Sequence, residues 1–136
     1  MIRLKSLEEI DRIRDSCRML AETYETIIPL AQEGTTTAEL DRAAHDFIIK
    51  RGGKPAFLNY HGYPATLCTS INQTVIHGIP SKRKLKNSDI LSLDLGINLK
   101  GFFSDAALTI PIRNVTPQAK RLLHETRAAL YAGIEK

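Results

Sequence analysis

The sequence predicts an α+β fold, an antiparallel sheet with helices on one face, and three observations carry that prediction. Residues Ile90 to Ile110 alternate in polarity like two strands around the turn-like run Asn98-Leu99-Lys100-Gly101. Two long runs with apolar residues at helical spacing precede this hairpin, and a third follows it. Helix, helix, strands, hairpin, helix is the order of a sheet covered on one side by helices.

The elements follow in chain order. Ser6 with Glu9 forms a capping box, and Ile10, Ile13, Cys17, Leu20, Tyr24 and Ile27 or Ile28 then recur at helical spacing. A first helix is expected from about Leu7 to Leu30, stopping near Gly34. A second box, Thr36 with Glu39, opens a helix through Leu40, Ala43, Ala44, Phe47 and Ile48, which Gly52-Gly53 ends. After the loop around Pro55, Thr66 to Ile71 and Val75 to Ile76 read as short strands joined by Asn72-Gln73-Thr74 and bounded by Pro64 and Pro80. Beyond the hairpin, Thr116-Pro117 supplies an N-cap and a first-turn proline for a helix through Leu122, Leu123, Thr126, Ala129, Leu130 and Ile134. That helix is expected to run to the last residue. No repeat, low-complexity tract or linker interrupts residues 1–136, so they are read as one domain.

Parity within the hairpin separates two faces. If Leu99 and Lys100 form a two-residue loop, Leu91, Leu93, Leu95 and Ile97 share a face with their partners Leu108, Ala106, Ser104 and Phe102. The other face holds Ser92, Asp94, Gly96, Asp105, Ala107 and Thr109, with Phe103 as the bulky exception. In this register Asp94 stands directly opposite Asp105, with Cβ atoms ~5 Å apart. Carboxylates that close repel, so either one of them has a raised pKa or a cation lies between them. A solvated face with two ordinary aspartates has the same pattern, and a one-residue bulge in the turn would send the two to opposite faces. The pair alone therefore does not decide between a site and a surface.

Composition narrows the class. With 136 residues, 43% of them apolar, the chain is long enough to bury a core. The formal charge of +4 comes partly from Lys82-Arg83-Lys84 with Lys86, beside a predicted strand, which reads as loop decoration and not as nucleic-acid readout. Such a basic balance is compatible with visits to the ribosome. Cys17 and Cys68 are too few for a disulfide framework, and Cys17 falls on a helical apolar stripe, so both are read as reduced thiols of a cytoplasmic protein. The opening Met1-Ile2-Arg3-Leu4-Lys5 leads into no apolar run, and no stretch has the length of a membrane span. Neither a secretory signal nor a membrane anchor is expected.

Several motifs now fall into line: Tyr60-His61-Gly62-Tyr63-Pro64, Cys68-Thr69-Ser70-Ile71-Asn72, Val75-Ile76-His77-Gly78-Ile79-Pro80, Asp89-Ile90-Leu91-Ser92-Leu93-Asp94-Leu95-Gly96 and Gly101-Phe102-Phe103-Ser104-Asp105. In this order and spacing the run resembles the N-terminal half of a type I methionine aminopeptidase, of the pita-bread metallopeptidase family, over essentially the whole chain. The resemblance implies half of a pita-bread fold. It also implies metal-dependent hydrolytic removal of the initiator methionine from nascent proteins. Two divalent ions, often assigned as cobalt, manganese, iron or zinc, are bridged by carboxylates in that family and activate a water. Asp94 and Asp105 match its first two ligands. His77 matches a histidine that hydrogen-bonds the substrate near the scissile amide, a role suited to an imidazole titrating near working pH. Tyr60, His61, Tyr63 and Cys68 match residues around the pocket for the methionine side chain, whose thioether gains from aromatic walls. Phe57 stands where many bacterial members carry a cysteine, which would reshape that pocket a little, and Ser104 replaces a glycine often found before the second aspartate. His45 and His124 match no functional position and are read as structural or exposed.

The resemblance also implies an absence. The remaining ligands of the family, one histidine and two glutamates, belong to a second half related to the first, and this sequence is expected to end inside the helix that opens it. Two of five protein ligands predict weak metal binding and little or no peptidase activity for this chain alone. Its partners would be N-terminal methionine peptides and a missing C-terminal half. The alternatives are a non-catalytic binding module, in which the aspartates are relics, and a prolidase-like metallopeptidase. The Tyr60 to Pro64 run and the short stretch before His77 favour the methionine aminopeptidase. A self-complementing homodimer is a further reading, suggested by the bare apolar stripe of the last helix.

Overall fold

The computed structural model describes residues 4–136; Met1-Ile2-Arg3, which open the N-terminal run read above, lie outside them. Both predicted capping boxes form. Ser6 Oγ accepts from the Glu9 amide at 3.2 Å while the Glu9 carboxylate accepts from the Ser6 amide at 2.7 Å, starting α1 (Leu7–Ile27). Thr36 and Glu39 do the same, also at 3.2 and 2.7 Å, at the head of α2 (Thr37–Lys50). Each box satisfies amides that have no partner within the helix. A short 3₁₀ turn, Ile28–Leu30, completes the first helical run close to its expected end.

The sheet is antiparallel and centred on β3 (Ile90–Leu99). β4 (Phe102–Pro111) runs along one side of it. On the other side lie β2 (Leu67–Ile71), against Leu91 to Leu95, and the two-residue β1 (Lys54–Pro55), against Ile97 and Asn98. Leu91, Leu93, Leu95 and Ile97 are fully buried at 0% exposure, beneath Met19, Leu20, Tyr24 and Ile27 of α1 and Leu40, Ala44 and Ile48 of α2. The expected α+β layering, helices on the leucine face, is therefore what forms.

Three expectations are corrected. The hairpin loop is Lys100-Gly101, not Leu99-Lys100: both of its residues are left-handed (φ 52° and 90°), and Leu99 pairs with Phe102. A type I′ turn needs positive φ at both central positions, which suits Lys-Gly far better than a branched Leu, and Asn98 Oδ1 secures it by accepting from the Gly101 amide at 2.8 Å. The register moves by two residues, so every side chain keeps its face, but Asp94 now pairs with Ala107 and Asp105 with Gly96. The two aspartates are diagonal neighbours and not directly opposed.

Val75 and Ile76 form no strand; they lie in the loop after β2, 80% and 64% exposed. Their β-branched composition favours extended structure, but the backbone partner that β2 finds here is Gly78, whose carbonyl accepts from the Thr69 amide at 2.7 Å. Cys17 is exposed and Ser16 takes the buried place beside it, since Ser16 Oγ meets Ser104 Oγ at 2.9 Å inside the core face. Both cysteines are free thiols, as read from their number.

α3 (Pro117–Ile134) starts at the predicted cap, with Thr116 Oγ accepting from the Ala119 amide at 3.2 Å. None of its residues is buried, and Leu122, Leu130 and Ile134 are 58%, 62% and 68% exposed. His124 is exposed and His45 half-buried, with Nδ1 3.3 Å from the Asp46 carboxylate. No helix among the described residues is long and apolar enough to cross a membrane.

Candidate metal centre

Asp94 lies mid-strand on β3 and is half-buried; Asp105 lies on β4 and is exposed. Their diagonal relation on one face sets the Cβ atoms roughly 7 Å apart. That spacing leaves room for an ion between the two carboxylates, since their oxygens ligate divalent transition metals at about 2.0–2.2 Å. The partner across the ladder from each carboxylate is small: Ala107 faces Asp94 and Gly96 faces Asp105. Among the described residues neither aspartate is in a salt bridge. Burial, and then the neighbouring Asp105 charge, hold the Asp94 carboxyl above the usual aspartate range, while His77 and the Leu95 amide pull it part of the way back.

His77 reaches this face from the loop after β2, with a left-handed backbone (φ 55°) and an exposed side chain. Its neighbour Gly78 anchors the loop to β2. The Gly78 amide donates to Ser70 Oγ at 3.0 Å, and its carbonyl accepts from the Thr69 amide and, at 3.1 Å, from the Tyr63 hydroxyl. Only glycine fits there, because a Cβ would stand 2.3 Å from the Thr69 carbonyl oxygen.

Cys68 pairs with Asp94 in the β2–β3 ladder and so shares its face. Burial pushes its thiol up, a hydrogen bond from Tyr63 pulls it down, and the charges of Asp94 and Asp105 push it up further. It is thus held as a neutral thiol. The Tyr63 hydroxyl, shared between the carbonyls of Leu67 (3.0 Å) and Gly78, is likewise held neutral, chiefly by burial. Phe57 packs over Gly96, so closely that a Cβ on Gly96 would lie 2.7 Å from its ring. Phe57, Tyr63 and Cys68 therefore gather beside the aspartates. Tyr60 and His61 stand further out on the loop: Tyr60 is 65% exposed, and the two rings meet edge to face at 4.4 Å.

Two further carboxylates, Asp41 and Asp89, to which the sequence reading gave no role, brace the frame. Asp41 of α2 accepts from the amides of Thr66 and Leu67, both at 2.9 Å, fixing the start of β2. Buried Asp89 accepts from Asn72 Nδ2 at 2.8 Å and the Lys86 amide at 3.0 Å, tying the ends of the long loop that carries His77. An acidic residue placed just before a central strand was the available signal for Asp89.

Among the described residues no group of three or more His, Cys, Asp and Glu side chains is placed to hold a metal ion. The donor chemistry fits a divalent cation, but only as the two carboxylate arms of a larger set.

A scan of protein families matches residues 11–136 to "Metallopeptidase family M24". The methionine aminopeptidase of Borreliella burgdorferi is 48% identical over 133 residues, which are 98% of this chain and 53% of that protein. The crystal structure of methionine aminopeptidase from Rickettsia prowazekii superposes with a TM-score of 0.96 at 35% identity, covering 98% of this chain and 54% of the other. The prolidase from Pyrococcus furiosus, at 21% identity and a TM-score of 0.76 over 87% of this chain and 34% of that one, shares the fold. The chain spans about half the length of the curated methionine aminopeptidases it matches, and its sheet with helices on one face is the corresponding part of their pita-bread fold. Diagonal aspartates on one sheet face, and a sequence matched almost from end to end, lead to one conclusion: the chain belongs to metallopeptidase family M24.

Proposed function

We propose that this chain is the N-terminal half of a methionine aminopeptidase catalytic domain, folding as one domain and carrying two of the metal ligands, and that the activity it serves is removal of N-terminal methionine from nascent proteins. The observation that carries the reading is the aspartate pair, Asp94 and Asp105, on one face of the sheet with small residues, Ala107 and Gly96, across from them in the β3–β4 ladder. They would hold part of a pair of divalent ions, cobalt, manganese, iron or zinc, bound weakly by this chain alone. Such ions, when bound, polarise a scissile carbonyl and lower the pKa of water.

The protein's own groups supply the rest. His77, held over β2 by Gly78, is the hydrogen-bonding partner for the substrate near the scissile amide. Phe57, Tyr63 and Cys68 offer an apolar, polarizable wall for a thioether, with Tyr60 and His61 completing it from the loop. N-terminal methionine peptides emerging at the ribosome, in the cytoplasm, are the substrates this reading assigns. The prolidase-like alternative has less support, because relatives of that type share the fold at much lower identity.

The test is complementation. The purified chain alone is expected to hydrolyse a Met-Ala-Ser peptide at background rate with manganese or cobalt, and mixing it with the separately expressed C-terminal half of a related enzyme is expected to produce metal-dependent turnover. A stable complex of the two halves that remains silent would reject the catalytic reading in favour of a binding module.

A further inference from the structure

Nothing in the alternation of polar and apolar residues fixes the register between β3 and β4. A slip of two residues leaves every side chain on its own face. It would nonetheless exchange the diagonal aspartate pair for a directly opposed one, moving β4 by roughly 7 Å along β3. β4 pairs only with β3 among the described residues, so no second strand resists the slip.

Two hydroxyls of α1, about two helical turns apart, each touch both strands at once. Tyr24 Oη donates to the carbonyls of Leu93 on β3 (3.3 Å) and Ala106 on β4 (2.5 Å), the first belonging to the peptide that leads into Asp94. Ser16 Oγ lies 3.3 Å from the carbonyl of Ile97 on β3 and 2.9 Å from Ser104 Oγ on β4, and Ser104 Oγ donates in turn to the Ser16 carbonyl at 3.0 Å. Ser104 and Ala106 flank Asp105, so α1 grips β4 on both sides of that ligand from the opposite face. In the slipped register Phe102 would replace Ser104 across from Ile97, setting a ring where a hydroxyl now bonds.

We propose that Ser16 and Tyr24 are positioning residues for the metal centre: the Ser16–Ser104 hydroxyl pair, which only this register brings together, selects the setting in which Asp94 and Asp105 stand diagonally, and Tyr24, bound to main-chain carbonyls of both strands, clamps β4 to β3 in it. The inference rests on the reading of that pair as metal ligands. Burial and the fields of the two aspartates push the Tyr24 phenol well above its ordinary value, so it remains a donor throughout the working pH range. The Lys100-Gly101 turn favours the same register from the end of the hairpin; the Ser16–Ser104 pair specifies it beside Asp105.

The test uses the full chain with Ser16→Ala and Tyr24→Phe, singly and together, followed by amide NMR and by Mn²⁺ titration with the metal alone. Register is read from cross-strand proton contacts, Asp94 to Ala107 against Asp94 to Asp105. The expected result for the double variant is a new population with Asp94–Asp105 contacts, faster amide exchange at Asp105 and Ala106 than at Thr69, and a loss of Mn²⁺ affinity of roughly tenfold. Tyr24→Phe alone, which keeps the ring in the core, is expected to leave the register unchanged and to quicken amide exchange along β4, because its bonds go to main-chain carbonyls that a slipped strand would supply equally. Unchanged register and Mn²⁺ affinity in a folded double variant would overturn the proposal, as would exchange that quickens equally in β2 and β4 with affinity intact. If Mn²⁺ broadens neither Asp94 nor Asp105 in the parent chain, the metal reading itself fails, and the contact pattern still decides whether the hydroxyls set the register.

Discussion

Replacing Gly78 by alanine is expected to lower the melting temperature by roughly 6–16 °C, the equivalent of about 2–4 kcal/mol for a domain of this size. The cost does not come from φ, which is negative at this position, but from space. An added Cβ would stand 2.3 Å from the Thr69 carbonyl oxygen, 2.7 Å from its carbon and 2.8 Å from the Ser70 Cα. All three are backbone atoms of a buried strand, so no side chain can swing away to relieve the clash. The loop must lift instead, breaking the Thr69 amide to Gly78 carbonyl bond, the Gly78 amide to Ser70 bond and the Tyr63 bond. His77 leaves with it. Thermal unfolding followed by circular dichroism reads the first effect, and loss of proton contacts between the His77 loop and β2 reads the second. A melting temperature within 2 °C of the parent, with those contacts kept, would show that the close approach is not needed.

Asp94→Asn is expected to reduce the complemented peptidase activity by about 10³-fold or more, because several kcal/mol of metal-dependent charge stabilisation correspond to that factor in rate. The metal-free chain should respond in the opposite sense. The folded chain holds the Asp94 proton more tightly than the unfolded chain does, since burial and Asp105 raise this carboxyl. The group therefore favours folding below the ordinary aspartate range, and that contribution is lost as pH rises through the raised folded value. At neutral pH the carboxylate is a liability that asparagine removes. Asp94 is only half-buried, and solvent screening keeps the gain below about 1 kcal/mol. Denaturant melts of the parent and variant at pH 7, with and without Mn²⁺, separate the terms: Asn more stable without metal, parent stabilised by added metal and Asn unresponsive. A variant within tenfold of parental turnover would remove Asp94 from the metal set.

The pattern in the sequence gives the helices and the faces of the hairpin because both depend on local signals. The Ser6–Glu9 and Thr36–Glu39 boxes are spacings of three, and strand parity has a period of two. Register depends on something parity cannot see: which two residues tolerate positive φ. Gly101 was visible in the sequence, but pairing it with Lys100 and not counting from Leu99 required weighing the turn before the strands. Cys17 and Ser16 show a second limit. Hydropathy ranks the thiol above the hydroxyl for burial, yet Ser16 goes inside because Ser104 and the Ile97 carbonyl satisfy it there. At the candidate site, residue types in motif order single out His77, Asp94 and Asp105 as candidates, and His77 lies near enough to Asp94 for its charge to be felt there. That Tyr60 and His61 stand out on the loop while Phe57 and Tyr63 close on the sheet follows from a backbone that is left-handed at Asn59, His61 and Gly62; Asn59 and Gly62 favour that region, but a left-handed His61 between Tyr60 and Gly62 has no such signal.

β4 has an open outer edge of ten residues among those described, Phe-Phe-Ser-Asp-Ala-Ala-Leu-Thr-Ile-Pro, and Asp105 is its one charged residue. Open edges with high β propensity recruit other strands, and single charges and terminal prolines are what keep such segments from stacking. On the proposed metal reading, Asp105 would then act as gatekeeper as well as ligand: a charge suited to a cation would also keep copies of the chain apart. Asp105→Asn should accordingly precipitate at lower protein concentration than Asp94→Asn, whose carboxylate sits on the inner strand, although both lose the same charge. Light scattering of the two variants at matched concentration would show the difference, and a carboxylate read as a ligand would prove to guard solubility too.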